Sequence, residues 1–266
     1  MTSYANWPRV YVILRGGLGN QLHQIAAAVA FANKLGNHVR VFSDIVDHAN
    51  NPTRRGFYKK LELRKVFYTV KLEETNRIET FLLKIFNRLN HPILNSLIIS
   101  EKQFHLDIKP RPIFVIKGYF QSNEFLPMKF NLTHLTHVAE LKTGSVVIHI
   151  RLTDFSEIDS NPLDSDYYLR AINWIKNNYN IDKIICYSDD LPSAREMLHS
   201  LTDVEYPEEV QELSPNQLLS RLSDAEFLIC SRSTLCWWAA QIVSQKGGLV
   251  ISPWAEKVHS LKWFQV

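Results

Sequence analysis

One stretch of the second half, SVVIHIRLTD, joins an apolar run to side chains that could bind a phosphorylated ligand. Its valines and isoleucines are typical of a buried strand, and His149, Arg151 and Asp154 lie where that strand should meet a loop. Ligands of open α/β sheets bind at the carboxyl ends of strands, and a guanidinium there matches two phosphate oxygens at once. The alternative is that Arg151 and Asp154 form an ion pair that fixes the loop.

A second strand-like stretch, KIICYSDD, ends in two carboxylates, Asp189 and Asp190. At the carboxyl end of a strand, a carboxylate can accept hydrogen bonds from N1 and N2 of guanine, a pair of donors that adenine lacks. The sequence LP that follows also suits Asp190 as the N-cap of a helix. Both interpretations remain open at this point.

A third stretch, EFLICSRSTLCWWAAQ, places hydroxyl side chains at the start of a predicted helix: Ser231, Ser233 and Thr234. The free backbone N–H groups and the dipole of a helix N-terminus attract anions. Because neighbouring parallel strands end at one edge of a sheet, we expect the polar ends HIR, SDD and SRST to converge. The convergence is a stronger indication of a site than any one stretch.

The first half opens with RVYVILRGGLGNQLHQIAAAVAFANKLG, which predicts a strand, a glycine turn and a helix, and HVRVFSD then predicts a second strand. A dinucleotide fingerprint would need a third glycine after Gly17 and Gly19, but Leu22 stands there, which excludes a nicotinamide oxidoreductase. The turn still allows a ligand close to the backbone, with Asn20 and Gln21 at the helix N-terminus. The alternative is that the glycines serve tight packing of strand and helix.

Residues 76–100 carry a basic amphipathic pattern in which large apolar residues recur at helical spacing between arginines and lysines. Such a helix can lie on an anionic bilayer, or its apolar face can pack on a sheet, which we favour. Its charges exclude a membrane span.

Composition indicates an ordinary intracellular globular protein. The chain has 266 residues, of which 45% are hydrophobic and 21% charged, and a net charge of +3, too weak to indicate nucleic-acid binding. Its three cysteines lack CxxC spacing, and the N-terminal segment lacks the pattern of a secretory signal. We expect a cytoplasmic protein with an N-terminal domain at 1–140, a C-terminal domain at 141–250, and a tail at 251–266 that packs on the first domain.

Four segments, GGLGNQLHQIAAAVAFA, VVIHIRLTD, CYSDD and SRSTLCWWAAQ, in this order and spacing, resemble the bacterial α-1,2-fucosyltransferases of glycosyltransferase family 11. These are inverting GT-B enzymes that use GDP-fucose. The resemblance implies an α/β fold with two Rossmann-like domains facing across a cleft. It also implies that the first domain holds the acceptor and the second holds GDP-fucose.

The resemblance implies roles for residues of the second domain. Arg151 is similar to the arginine that grips the β-phosphate of the donor, and His149 shares its signature, near the base or ribose. Asp189 and Asp190 match the acidic pair near the guanine. The chain departs from the family at Leu152, where a second arginine is usual, and in SRSTLCWW, where Asn-Ser-Thr-Phe-Ser-Trp-Trp is usual. A related transferase for another nucleotide sugar could carry these differences.

Further roles follow from the same resemblance. Ser233 and Thr234 match hydroxyls at the diphosphate, while Gly17, Asn20 and Gln21 match a loop that closes over the reacting sugar. With no Asp-x-Asp motif suited to a metal, we expect no metal or other cofactor.

The general base is expected in the polar loop after the first stretch, where more distant fucosyltransferases favour Asp159. The expected partners are GDP-fucose and a galactose-terminated or lipid-linked acceptor, with no nucleic acid. That acceptor would bring the protein into peripheral contact with the inner face of the bacterial membrane. The alternative from another class is a non-catalytic carbohydrate-binding protein.

Overall fold

The chain forms two compact units in a computed structural model, residues 1–134 and residues 135–266. The residues that the structure describes are 8–35, 38–42, 63–88, 96–106, 109, 111–135, 140–152, 163–253 and 263–264. Each unit contains a parallel β-sheet with helices, as repeated βα segments predict.

The first unit is built on a five-stranded sheet in the order β3-β2-β1-β5-β4, with every neighbouring pair parallel. Its strands are β1 (Arg9–Ile13), β2 (Val39–Phe42), β3 (Leu72–Glu74), β4 (Ile98–Ile99) and β5 (Ile113–Ile116). Its helices are α1 (Leu18–Leu35), α2 (Leu63–Val66) and α3 (Arg77–Arg88). The predicted strand, turn, helix and strand at the start of the chain are confirmed.

Helix α1 is the core helix of this unit. The apolar face expected at Ile25, Ala28, Val29 and Ala32 is fully buried, and the alanines allow the helix to approach the sheet closely. Since β1 leads through a short turn directly into α1, the helix N-terminus lies at the carboxyl end of the strand.

The second unit is built on a six-stranded sheet in the order β11-β10-β9-β6-β7-β8, again parallel throughout. Its strands are β6 (Lys142–Ile150), β7 (Lys183–Ser188), β8 (Val204–Glu205), β9 (Ala225–Ile229), β10 (Leu249–Ile251) and β11 (Trp263–Phe264). Its helices are α4 (Ser165–Asn178), α5 (Leu191–Met197), α6 (Pro215–Leu222) and α7 (Thr234–Gln245).

The strand order puts the three predicted polar ends side by side. Strand β6 lies between β7 and β9, with Ile150 beside Ser188 and Ile148 beside Ile229. The residues that follow these strands are therefore neighbours at one edge of the sheet, as the sequence predicted.

The C-terminal tail contributes one strand to the sheet of the second unit. The expectation that the tail packs on the first domain stays a prediction. Trp263 and Phe264 form β11, which pairs with Val250 and Ile251 of β10 in the second unit's own sheet. Pairing in this way satisfies backbone groups that the edge of β10 would otherwise leave open. The other residues of the predicted tail's aromatic segment, 254–262, lie outside the described residues.

Helix α3 is the basic amphipathic helix that the sequence predicts. It packs on the first sheet, as favoured, but only through part of its surface. Across the described parts of the chain, no helix is both long enough and apolar enough to span a bilayer.

Candidate functional site

The end of β6 is joined to the end of β9 by a buried hydrogen bond. His149 Nδ1 lies 2.8 Å from Ser231 Oγ, and both side chains are buried. The Cys236 thiol, in the first turn of α7, is also buried and interacts with His149. Burial by itself raises the pKa of Cys236, but hydrogen bonds with Cys230 and His149 lower it below its ordinary value. The two strand ends thus share one polar cluster under the site.

The end of β6 is joined to the end of β7 by Asp189. Its Oδ2 accepts from Arg151 Nε at 3.2 Å, and its Oδ1 accepts from the Leu152 backbone N–H at 2.9 Å. The Arg151 side chain is 29% exposed, so solvent reaches it. Asp154, the partner considered from the sequence, lies outside the described residues. Asp189 therefore fixes the direction of the arginine that should meet a phosphate.

Asp190 fills the second of the two roles considered for it, and the first, guanine recognition, stays a prediction. It is the N-cap of α5, where its Oδ1 accepts from the Ser193 backbone N–H at 3.2 Å and its Oδ2 from the Ser193 hydroxyl at 2.7 Å. The Ser188 hydroxyl accepts from the Asp190 backbone N–H at 3.1 Å. Both carboxylates of the SDD stretch thus accept hydrogen bonds from backbone N–H groups at this edge of the sheet.

The N-terminus of α7 follows β9 at the same edge. Ser233 is its N-cap and Thr234 its first helical residue, and both are partly exposed. Within the described residues, the Ser233 hydroxyl makes no capping hydrogen bond to its own helix. The predicted core residues Trp237 and Trp238 are buried and anchor the helix. The arrangement offers an anion the positive end of a helix dipole with hydroxyls beside it.

The glycine turn of the first unit is held by two buried glutamines of α1. Gln24 accepts from the Arg15 backbone N–H at 2.8 Å and donates to the Arg15 carbonyl, while Gln21 donates to the Gly16 carbonyl at 2.9 Å. Gly16 has a φ of +71°, which favours glycine, and the space above Gly17 is open. Gln21 therefore holds the turn, and Gly17 leaves room for a ligand near the backbone.

Asn20 is the partly exposed side chain of this turn, and it meets a second loop. Its Oδ1 accepts from Gln121 Nε2 at 2.8 Å. The second loop follows β5 and is tied by Glu101, whose carboxylate accepts from the backbone N–H groups of Tyr119 and Phe120 at 2.9 and 2.8 Å. Phe120 has a φ of +54°, a strained value that persists only where surrounding contacts enforce it. Glu101 therefore holds the loop after β5 in place, and the polar side chains of this loop and of the glycine turn lie at the carboxyl ends of β5 and β1.

The remaining expectations concern the polar loop after β6 and the absence of a metal. Asp154 and Asp159 lie outside the described residues. Within the residues described, no three His, Cys, Asp or Glu side chains are grouped so as to hold a metal ion.

Sequence reasoning missed three residues that support these sites: Gln24, Glu101 and Cys236. Gln24 lies one helical turn beyond Asn20, which could have indicated a contact with the preceding turn. Cys236 lies in the first turn of a helix that had itself been predicted. Glu101 is 18 and 19 residues from its partners, and no local pattern indicates that contact.

The chain is similar to known glycosyltransferases. Residues 132–260 match the model of glycosyl transferase family 11. An Escherichia coli O-antigen biosynthesis glycosyltransferase, WbnK, is 25% identical over 311 aligned residues, covering 96% of this chain and 95% of the relative. An Escherichia coli alpha-1,2-colitosyltransferase is 25% identical over 275 aligned residues, covering 92% of this chain and 91% of the relative.

The fold has a counterpart among solved structures. The fucosyltransferase NodZ from Bradyrhizobium superposes with a TM-score of 0.56 at 14% identity, covering 90% of this chain and 94% of NodZ. The predicted α/β fold class of the GT-B type is confirmed by this likeness and by the two parallel sheets. The resemblance drawn from the sequence motifs is confirmed as well, because residues 132–260 match the model of glycosyl transferase family 11.

Proposed function

We propose that this glycosyltransferase moves L-fucose from GDP-fucose to the 2-hydroxyl of a galactoside in O-antigen-type polysaccharide synthesis. Structures of NodZ have been obtained with GDP and after soaking with GDP-fucose, and WbnK acts in O-antigen biosynthesis. The observation that carries the proposal is Arg151 held by Asp189 at the sheet edge where α7 begins. This pairing suits a diphosphate ligand, because the guanidinium and the helix N-terminus both attract negative charge.

The proposed reaction is a single inverting displacement without a metal. The acceptor oxygen forms a bond to C1 of the sugar as the bond from C1 to the phosphate oxygen breaks, and GDP leaves with the electron pair. Arg151 and the N–H groups at the start of α7 stabilise the developing charge on the diphosphate. The proton of the acceptor hydroxyl passes to a base, for which Asp159 is the candidate.

In this proposal, the first unit holds the acceptor. The amides of Asn20 and Gln121 and the exposed ring of Tyr119 supply the hydrogen bonds and the flat apolar face that sugars need. His149 and Ser231 support the donor's base or ribose from below.

The test is an assay of purified protein with GDP-fucose, a panel of galactosides, and EDTA. We expect an α-1,2-linked product whose rate EDTA leaves unchanged. Arg151→Ala should lower kcat/KM by about 100-fold or more, equivalent to about 3 kcal/mol of transition-state stabilisation. The exposed Arg170 of α4 provides the matched control, because Arg170→Ala removes the same charge from the same unit. Near-normal turnover by Arg151→Ala would exclude the assigned role.

The base has a separate test. Asp159→Asn should flatten the limb of the pH–rate profile that reports deprotonation of a carboxylate. An unchanged profile would remove Asp159 as the base.

A second candidate is transfer of another sugar, and the colitosyltransferase relative specifically favours it. Colitose lacks one hydroxyl of fucose, and a site built to bind that hydroxyl rejects an analogue without it. Competition between GDP-fucose and GDP-colitose identifies the donor. A protein that binds galactosides yet consumes neither nucleotide sugar would instead be a carbohydrate-binding protein.

A further inference from the structure

Helix α3 leaves a row of large apolar side chains exposed. The exposed fractions are 73% for Ile78, 62% for Phe81, 57% for Leu82 and 38% for Ile85. Four such residues on consecutive turns make a continuous apolar strip, and strips of this kind usually mark an interaction surface. This strip is named the α3 row.

The rotation of α3 about its axis is fixed by its inner face. Glu79 is buried, accepts from the Tyr11 hydroxyl at 2.9 Å, and forms an ion pair with Arg9 at 3.4 Å. Glu79 and Asn76 also exchange backbone and side-chain hydrogen bonds of 2.9 Å, which form a capping box. One turn later, Leu83 packs with Tyr11 on the sheet. Rolling the helix to bury the α3 row would break these buried contacts.

Basic side chains lie next to the α3 row. At 100° per residue, Arg77 and Lys84 fall on the helix flank beside Phe81, and both are exposed. An apolar strip with a basic flank is the pattern of a helix that lies in the interface of an anionic bilayer.

The two units differ in net charge, and the unit that contains α3 is the basic one. Residues 1–134 contain 19 Lys and Arg and 9 Asp and Glu, a net charge of +10. Residues 135–266 contain 11 and 18, a net charge of −7. The overall charge of +3 therefore conceals a strongly basic unit, the one that carries the α3 row. An anionic surface would attract this unit and repel the other.

We propose that α3 docks the first unit on an anionic lipid bilayer. The α3 row enters the boundary between headgroups and acyl chains, while Arg77 and Lys84 lie among the phosphates. The inference deepens the proposed function. It rests on that function in one respect: an acceptor carried on a lipid gives the protein a reason to bind a membrane.

The experiment is co-sedimentation of the full chain with phosphatidylcholine vesicles, with and without phosphatidylglycerol. We expect binding that requires phosphatidylglycerol and weakens as salt is raised from 0.05 to about 0.5 M. Phe81→Ser/Leu82→Ser should lower the partition coefficient at least tenfold. Leu106→Ser, which removes an equally exposed apolar side chain elsewhere in the same unit, should leave it unchanged.

Three results would overturn the proposal: no binding by the wild type, equal binding by the double variant, or a wild-type dimer that the double variant converts to monomer. The last would identify a second copy of the chain as the occupant. Thermal unfolding confirms that each variant is folded. Transfer to a short soluble galactoside should be the same for the wild type and the double variant. Vesicle binding without any transfer would contradict the proposed function alone.

Discussion

Asp189 orients the arginine on which the proposed site depends. The sequence pattern suited it to guanine recognition, but its two oxygens hold Arg151 and the Leu152 backbone. A carboxylate used in this way fixes the position of the guanidinium. Recognition of guanine by Asp189 stays a prediction, and the two roles predict different ligand affinities. The distinction can be measured because guanosine contains the base without the diphosphate.

Asp189→Asn should therefore weaken GDP binding about tenfold and leave guanosine binding unchanged. The expected loss is modest because the ion pair is partly exposed to solvent. Calorimetric titration of both ligands provides the measurement, with Asp166→Asn, an exposed acid of α4, as the control. An equal loss of guanosine and GDP affinity would return Asp189 to the base-recognition role.

His23 makes the stability of the protein depend on pH. It is buried in α1, and burial lowers its pKa to about 3 from an ordinary 6.5. Because the folded state resists protonation, its stabilising contribution is complete above pH 6.5 and is lost as pH falls toward 3.

The free energy of unfolding should fall by about 1.4 kcal/mol between pH 7.5 and pH 5.5 on account of His23 alone. Urea unfolding at the two pH values measures the change. In His23→Gln, which cannot titrate, this part of the decrease should disappear. The same slope in both proteins would show that other groups cause it.

At the scale of elements, α7 and α3 offer two different binding features of a helix. Helix α7 offers its N-terminus, where backbone N–H groups and a dipole favour an anion. Helix α3 offers its side, where an apolar strip lies beside basic residues. The positive N-terminus of α7 is a property of the backbone, whereas the apolar strip of α3 depends on side-chain spacing and on the rotation of the helix about its axis.

Ser233→Asp tests the N-terminus of α7 through two effects of opposite sign. An aspartate at the N-cap should raise the free energy of unfolding by about 0.3–1 kcal/mol, since it complements the dipole. The same charge should repel a diphosphate and lower GDP affinity at least about tenfold. Thermal unfolding and GDP titration measure the pair of effects.

The control for this prediction is Ser214→Asp. Ser214 is the N-cap of α6, so the substitution adds the same charge to another helix start in the same unit. GDP affinity should stay close to the wild-type value there. An equal loss in both variants would indicate a general charge effect.

The whole molecule combines a basic unit with an acidic one, and this division bears on the proposed binding of a nucleotide-sugar donor. The second unit carries a net charge of −7, so its overall field does not attract a nucleoside diphosphate. Binding there requires local positive groups, which Arg151 and the start of α7 supply. The excess of positive charge in the first unit is instead available for a surface.

GDP should stabilise the whole chain against heat, whereas UDP should not. A ligand at 100 times its dissociation constant adds about 2.7 kcal/mol to the free energy of unfolding. A thermal-shift assay with each nucleotide measures the difference. Equal shifts with GDP and UDP would show that the site does not distinguish guanine from uracil.

The sequence by itself determined the elements and their polar ends. Short apolar runs bounded by polar residues specify buried strands, and parallel strands must end at one edge, so HIR, SDD and SRST were placed together in advance. The helical spacing of α3 and the glycine turn before α1 were likewise local patterns. Each depends on a few consecutive residues, which is why pattern reasoning recovered them.

Only the tertiary structure decided which side chains became partners. Arg151 is held by Asp189 because β7 is the neighbour of β6, and His149 meets Ser231 because β9 is the other neighbour. Strand order, the rotation of α3 set by Glu79, and the contact of Glu101 with the loop after β5 all join residues distant in sequence. Such contacts follow from how the elements pack, and no local pattern encodes them.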